Sequence, residues 1–281
     1  MSMPTPHILP DAAHSASHLA PRRIGRCNWI GVMTLIQKEV GRFMNVYLQT
    51  IIAPVLTLMM FFTVFSVSLQ SHGVDTAAQG HAGVAFLAPG LLMMTMIQNA
   101  FANPSSSLII AKVQGNIVDI LMPPLAPWEI LTGMMTGALL RSFMIGILGF
   151  FCLKLVIPLQ ILVWGHVLAY MVLGNTMLAL IGILAGLWAD KFDHMASITN
   201  FVITPLTFLS GTFYSLDALP PFWQGVALFN PFFYMIDGFR SGFTGIADVH
   251  AGYGAIILGG LDLILLLAAW VMLRTGYKTK F

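Results

Sequence analysis

Apolar positions in this chain mostly do not alternate with polar ones at a helical or strand period; they run on without interruption. No Asp, Glu, Lys or Arg lies between Arg42 and Asp75, between Asp75 and Lys112, between Arg141 and Lys154, or between Lys154 and Asp190. The core of a bilayer takes about 20 mostly apolar residues per helix. The pattern therefore predicts an all-α integral membrane protein with six transmembrane helices, near 48–68, 84–110, 129–150, 161–187, 195–214 and 253–273.

Two stretches break that rule. In 28–43, Trp29, Val32, Ile36, Val40 and Phe43 recur at spacings of three and four, while Gln37, Lys38 and Arg42 take the other side. That pattern predicts an amphipathic helix in the cytoplasmic headgroup plane, within an interfacial segment 28–47; a plain extension of the first span is the alternative. The second stretch, 215–250, is apolar but broken by Pro220-Pro221 and Asn230-Pro231 into pieces too short to span. It predicts a re-entrant helical hairpin between the fifth and sixth spans, made by Pro220, Pro221, Trp223, Asn230, Pro231, Tyr234, Asp237 and Arg240. Eleven aromatic residues lie between Phe208 and Phe243, which suits either an interfacial aromatic belt or rings shaping an exit route for cargo.

Composition agrees with the pattern: 57% of the 281 residues are hydrophobic and 9% charged, against roughly 25% charged in soluble domains. A cytosolic enzyme, a disordered chain and a basic nucleic-acid binder are excluded. Basic residues stay on the cytoplasmic side of a membrane, and a cytoplasmic N-terminus puts ten of them inside, with Lys154 and Arg240 outside and Arg141 within a span. Both termini are then cytoplasmic, with 1–27 a flexible tail, 48–276 the membrane domain and 277–281 a short tail. Cys27 and Cys152 fall on opposite sides of the bilayer, so no disulfide framework is expected.

The chemistry the chain lacks narrows the function. Gly-Lys, the end of a nucleotide-binding phosphate loop, never occurs. His72, His81, His166, His194 and His250 are scattered, with no metal-ligand spacing, so no metal site is expected. Ser210 with His166 as base would suit an intramembrane hydrolase, but Phe208 stands where a nucleophile elbow needs glycine. Arg141 and Asp262 are costly, at roughly 2.5–3.5 kcal/mol each if unpaired in a span. At about 1.5 Å per residue they lie ~20 Å and ~15 Å into the third and sixth spans. The matching depths predict an intramembrane ion pair, structural or in contact with substrate. Gly133/Gly137 and Gly182/Gly186 have the spacing that lets helices approach closely.

The polar tail, the interfacial helix carrying Glu39, the six spans, the run FLSGTFYSLDALPPFWQ from Phe208, the run NPFFY from Asn230, and Asp237-Gly-Phe-Arg240 together resemble the type-2 integral membrane permeases of ATP-binding-cassette exporters. Pro89-Gly90, Pro123 and Glu129 agree with it. The resemblance covers roughly 30–276 and is nearest to small bacterial permeases similar to nodulation-factor exporters. It implies a multi-pass protein of the bacterial inner membrane that is not itself an enzyme. Two copies would form the pathway, driven by two separate ATPase subunits. No cofactor would bind the chain directly; Mg-ATP would sit on the partner. The cargo would be an amphiphilic, drug-like or glycan molecule, and no nucleic acid would be bound.

The resemblance further implies that the cytoplasmic loop of Lys112, Val113, Gln114, Gly115, Asn116, Ile117, Val118, Asp119, Ile120 and Leu121, together with Glu39, couples to the ATPase. Val113, Ile117, Ile120 and Leu121 share one face, and Pro123-Pro124 stop the helix; a solvated turn is the alternative. A different class of function, an ion-coupled secondary transporter using Arg141 and Asp262, would show internal symmetry between the halves. No repeated motif links them.

Overall fold

The computed structural model describes residues 27–71 and 80–277, so the expected tails 1–27 and 277–281 lie outside the described residues except for Cys27 and Tyr277. Eleven α-helices occur among those described, and no strand. They are α1 (Trp29–Met44), α2 (Ala53–Ser71), α3 (Gly80–Val113), α4 (Val118–Leu121), α5 (Pro127–Val156), α6 (Trp164–Trp188), α7 (Phe192–Ile198), α8 (Thr204–Phe208), α9 (Pro221–Phe229), α10 (Pro231–Thr244) and α11 (Ala251–Thr275). A π-helical turn, Leu48–Ile52, leads into α2, and another, Thr199–Ile203, joins α7 to α8.

Among the described residues five helices are long and apolar enough to cross a membrane: Leu48–Ser68, Gly83–Val113, Pro127–Val156, Trp164–Trp188 and Ala251–Thr275. They match five of the six expected spans to within a few residues. The remaining one, expected over 195–214, is helical only over 192–208 and in three joined pieces. At 1.5 Å per residue this run covers about 25 Å. Beyond it the chain turns at Gly211, whose φ of +74° suits glycine.

Local chemistry sets the helix ends. Asn28 caps α1, its side chain accepting from the Gly31 N–H at 3.0 Å. Pro127 opens α5, and the Glu129 carboxylate turns back to accept from the Ala126 N–H at 2.7 Å. Asn230 caps α10 by accepting from the Phe232 N–H at 3.1 Å, ahead of Pro231. Gly245 and Gly276 end α10 and α11 in left-handed conformations.

α3 is the centre of the bundle: 72% of its apolar window is buried, against 22% for the first crossing helix and 17% for α11. The glycine pairs make the close approaches. A Cβ at Gly182 would stand 2.4 Å from the Phe101 carbonyl oxygen, so α6 lies against α3. Added Cβ atoms at Gly133 and Gly137 would stand 2.6 Å from Leu35 and 2.6 Å from Glu39, so this second pair receives α1 rather than another span.

The bundle has two distinct ends. At one, α1, α4, the start of α5, the end of α6 and the last turns of α11 share a cluster that includes Leu35, Ile117, Ile130, Leu187 and Ala269. At the other, two short helices, α9 and α10, meet at Asn230 within the stretch where the hairpin is expected. The Leu162 and Val163 N–H groups donate to the Gly242 carbonyl there, and the Phe65 ring of α2 lies tilted against Phe213, their centroids 4.5 Å apart.

Candidate functional site

The first end of the bundle is organised around a buried carboxylate. Glu39 is fully buried on the inner stripe of α1, with Val32, Leu35 and Phe43. One oxygen accepts from the Ser107 hydroxyl at 2.6 Å, and the other pairs with Arg42 at 3.0 Å. Arg42 reaches on to α3, donating to the Asn103 carbonyl at 2.7 Å, to the Asn103 side-chain oxygen at 2.9 Å and to the Ser106 hydroxyl at 3.1 Å. This network fastens α1 to α3 while the glycine cleft fastens it to α5. The Asn28 N–H completes the attachment by donating to Glu129 at 2.5 Å.

α1 differs from its expected pattern. Trp29, counted on the apolar face, is 70% exposed, and Leu35 and Glu39 form the packed stripe instead. A polar residue in the middle of that stripe hides it from hydrophobic periodicity. Glu39 therefore offers no surface to a partner; any coupling through it runs by way of Arg42, Asn103 and Ser107.

The loop after α3 corrects a second expectation. Ile117 and Ile120 turn inward and are buried with Leu108, Ile130 and Leu187. Val113, Gln114, Gly115, Asn116, Val118 and Asp119 face outward, as does Met122 at 77% exposure. The apolar stripe is the loop's own anchor, because the ends of α5 and α6 supply a core for it. Lys112 is buried and donates to the Leu187 carbonyl and, at 3.0 Å, to the Ala189 carbonyl, the capping contact a lysine makes at a helix C-terminus. It also lies 3.9 Å from Asp190. The loop is thereby tied to the end of α6.

The expected pair of Arg141 and Asp262 does not form. Arg141 donates to the Asn99 side-chain oxygen at 2.8 Å, and one buried oxygen of Asp262 has no hydrogen-bond partner. Equal depth does not fix the direction in which each residue faces on its helix. The ion-coupled alternative thus loses the pair on which it rested. Ser210 and His166 are likewise not partnered: the Ser210 hydroxyl donates to the Thr207 carbonyl, and His166 Nδ1 meets Ser241 at 3.0 Å.

At the far end an ion network locks the hairpin. Arg240, 1% exposed, pairs with Asp237 at 3.1 Å and Asp248 at 3.4 Å, donates to the Gly211 carbonyl at 2.9 Å and lies 3.7 Å over the Phe86 ring. Asp237 accepts from the N–H groups of Asp248 and Val249, both at 3.0 Å. Asn230 donates to the Leu206 and Leu209 carbonyls, and Tyr234 to the Leu228 carbonyl. Phe222, Trp223 and Phe229 of α9 are exposed. Asp248 carried no sequence signal, being one acidic residue in a loop.

At the start of α1, the Cys27 thiol is pushed up from its ordinary value by desolvation and by its hydrogen bond to, and the charge of, Glu129.

Five apolar helices long enough to cross a membrane, with an N-terminal helix docked on α3 and α5, define the class of a multi-pass, all-α membrane protein. The ABC-2 type transporter family model matches residues 31–244. The inner membrane transport permease YadH of Escherichia coli K12 is 37% identical over 250 residues, which is 88% of this chain and 96% of that protein. The proteins of the same name from Escherichia coli O157:H7 and Shigella flexneri match to the same extent. The chain belongs to the ABC-2 type transporter family and is a multi-pass inner membrane protein.

Proposed function

We propose that the chain is the membrane half of an ATP-driven exporter: two copies form the pathway, and two separate ATPase subunits dock beneath them. The chain crosses the bilayer six times, with 192–208 as the short fifth crossing, and both termini are cytoplasmic. Support for that short crossing comes from its two ends. It starts beside Asp190 near the Lys112 loop, and it finishes where Asn230 holds the Leu206 and Leu209 carbonyls.

The observation that carries the reading is the assembly at one end. A polar network fixes α1 to α3 and α5, and Lys112 fixes the adjoining loop to α6. An ATPase closing beneath would press on the exposed residues of the loop, chiefly Val113, Val118 and Met122. Buried Ile117 and Ile120 pass that displacement to α1, α5 and α6. The far-end hairpin, held by Asp237 and Arg240, moves with α3 and α6, and the route opens outward between the two copies. Mg-ATP belongs to the ATPase, and the cargo is an amphiphilic, drug-like or glycan molecule.

Purification of the tagged chain from its native membrane tests the assembly. Recovery of a two-to-two complex with a phosphate-loop ATPase is expected by native mass measurement; recovery of the chain with no ATPase would refute it.

A further inference from the structure

Behind the α1 network lies a cluster with more donors than acceptors. Arg141 on α5 is 8% exposed, and its one side-chain partner among the described residues is Asn99 of α3. Its Nε has no partner, nor have Arg42 Nε and Asn103 Nδ2. Arg42 is held by Asn103, one helical turn along α3 from the Asn99 that holds Arg141, and Glu39 is paired with Arg42. Two guanidinium groups, Arg141 buried and Arg42 partly exposed, therefore stand near one carboxylate. In a low-dielectric interior such a surplus is poorly screened and favours an anion.

The wall in front of this cluster is a groove between α3 and the α7–α8 run, about 630 Å³ in volume. That is within the usual range of ligand sites. Its polar lining includes Gln98, Asn99, Ser106, Thr199, Asn200 and Thr204. Two of these touch the guanidinium groups directly, Asn99 bonding Arg141 and Ser106 bonding Arg42. The groove begins near Ile109 and Phe192, at the end that holds Lys112, and rises along α3 to Gln98 and Asn99. Those two residues also line a second groove of about 310 Å³, between α3 and α2. The path thus runs from the inner boundary to mid-bundle, and Asn99, the partner of buried Arg141, lies at its top.

Building on the permease reading, we infer that this groove receives the anionic headgroup of a phosphate- or carboxylate-bearing amphiphile, with Arg141 as the residue that selects for negative charge. The tail stays in the bilayer while the headgroup exchanges the polar lining for Arg141 and Asn99. Apolar Phe101, Met195 and Ile203 flank the headgroup path and exclude bulk water.

The test is a lipid titration of the purified full chain in detergent, followed by native mass spectrometry with no ATPase present. Dioleoylphosphatidylglycerol should bind about tenfold more tightly than dioleoylphosphatidylcholine, the size of one charge-assisted contact. Arg141→Gln should abolish the preference and Arg141→Lys should keep most of it. Asn200→Trp fills the exposed wall without touching the buried cluster, and should lose the preference while melting at the wild-type temperature. Millimolar inorganic phosphate should not displace the lipid. A folded Arg141→Gln or Asn200→Trp protein that still prefers phosphatidylglycerol overturns the inference, and displacement by free phosphate overturns the amphiphile as the source of the anion. If ATPase capture persists while the lipid preference is absent, this inference alone has failed.

Discussion

Glu39 packs directly on Gly137: a Cβ added to the glycine would stand 2.6 Å from the glutamate Cβ. The α5 backbone and the stem of the buried Glu39 side chain thus meet where α1 crosses α5, and neither can change alone. Gly137→Ala should lower stability by roughly 1–3 kcal/mol, the usual cost of overpacking. Gly259, with nothing within 4 Å of its Cβ position, is the control; Gly259→Ala should leave the melting temperature unchanged or slightly raised. Heating the detergent-solubilised variants and following the monodisperse fraction checks both.

Removing the charge of buried Glu39 leaves the partly exposed Arg42 beside Asn103 and Ser106 without its carboxylate. Losing a hydrogen bond to a charged group costs roughly 1.5–3 kcal/mol, so Glu39→Gln should be among the most destabilising single changes in α1. The double variant Glu39→Gln, Arg42→Gln should recover part of that loss. A double-mutant cycle on melting temperature measures the recovery, and strict additivity would contradict the pairing.

The loop makes a directional prediction. Ile117→Asp inserts a charge into the cluster with Leu108 and Leu187, and the lost packing alone costs on the order of 2–5 kcal/mol. It should reduce the folded yield itself. Met122→Asp, on the exposed side, should leave yield and melting temperature within error and act only on coupling to the ATPase. Quantifying membrane-extracted protein for the two variants separates them.

These contrasts show what periodicity and spacing can and cannot carry. Long apolar runs with at most a few charges located five crossing helices to within a few residues, because bilayer thickness sets that signal. Spacing also marked Gly133 and Gly137 as a site of close approach, but it holds no information on which helix arrives, and α1 did. The stripe of Ile117 and Ile120 was legible as apolar; whether it faces a partner or the chain's own core depends on α5 and α6, which lie elsewhere in the sequence. Arg141 and Asp262 matched in depth, yet facing direction decided the outcome, and Asn99 of α3 took the arginine. The Asp237–Arg240 spacing was visible as a helical pair, whereas Asp248 joined it only through tertiary folding.

A pH measurement reports on the junction of α1 and α5. Burial and Glu129 both oppose deprotonation of Cys27, so its thiolate fraction at any alkaline pH is below that of a free cysteine. In a Cys152→Ser background, the midpoint of maleimide labelling should lie above that of a free thiol. Glu129→Gln removes the neighbouring negative charge and should move the midpoint down. Labelling that follows the free-thiol curve in the wild-type chain would contradict the contact.

The most direct test of the central claim is transport in proteoliposomes that hold the chain with and without its ATPase, under ATP or under a proton gradient. The account predicts cargo movement only with both subunits and hydrolysable ATP, and loss of coupling, not assembly, in Met122→Asp. Movement by the chain alone under a proton gradient, or nucleotide hydrolysis by the chain alone, would contradict it.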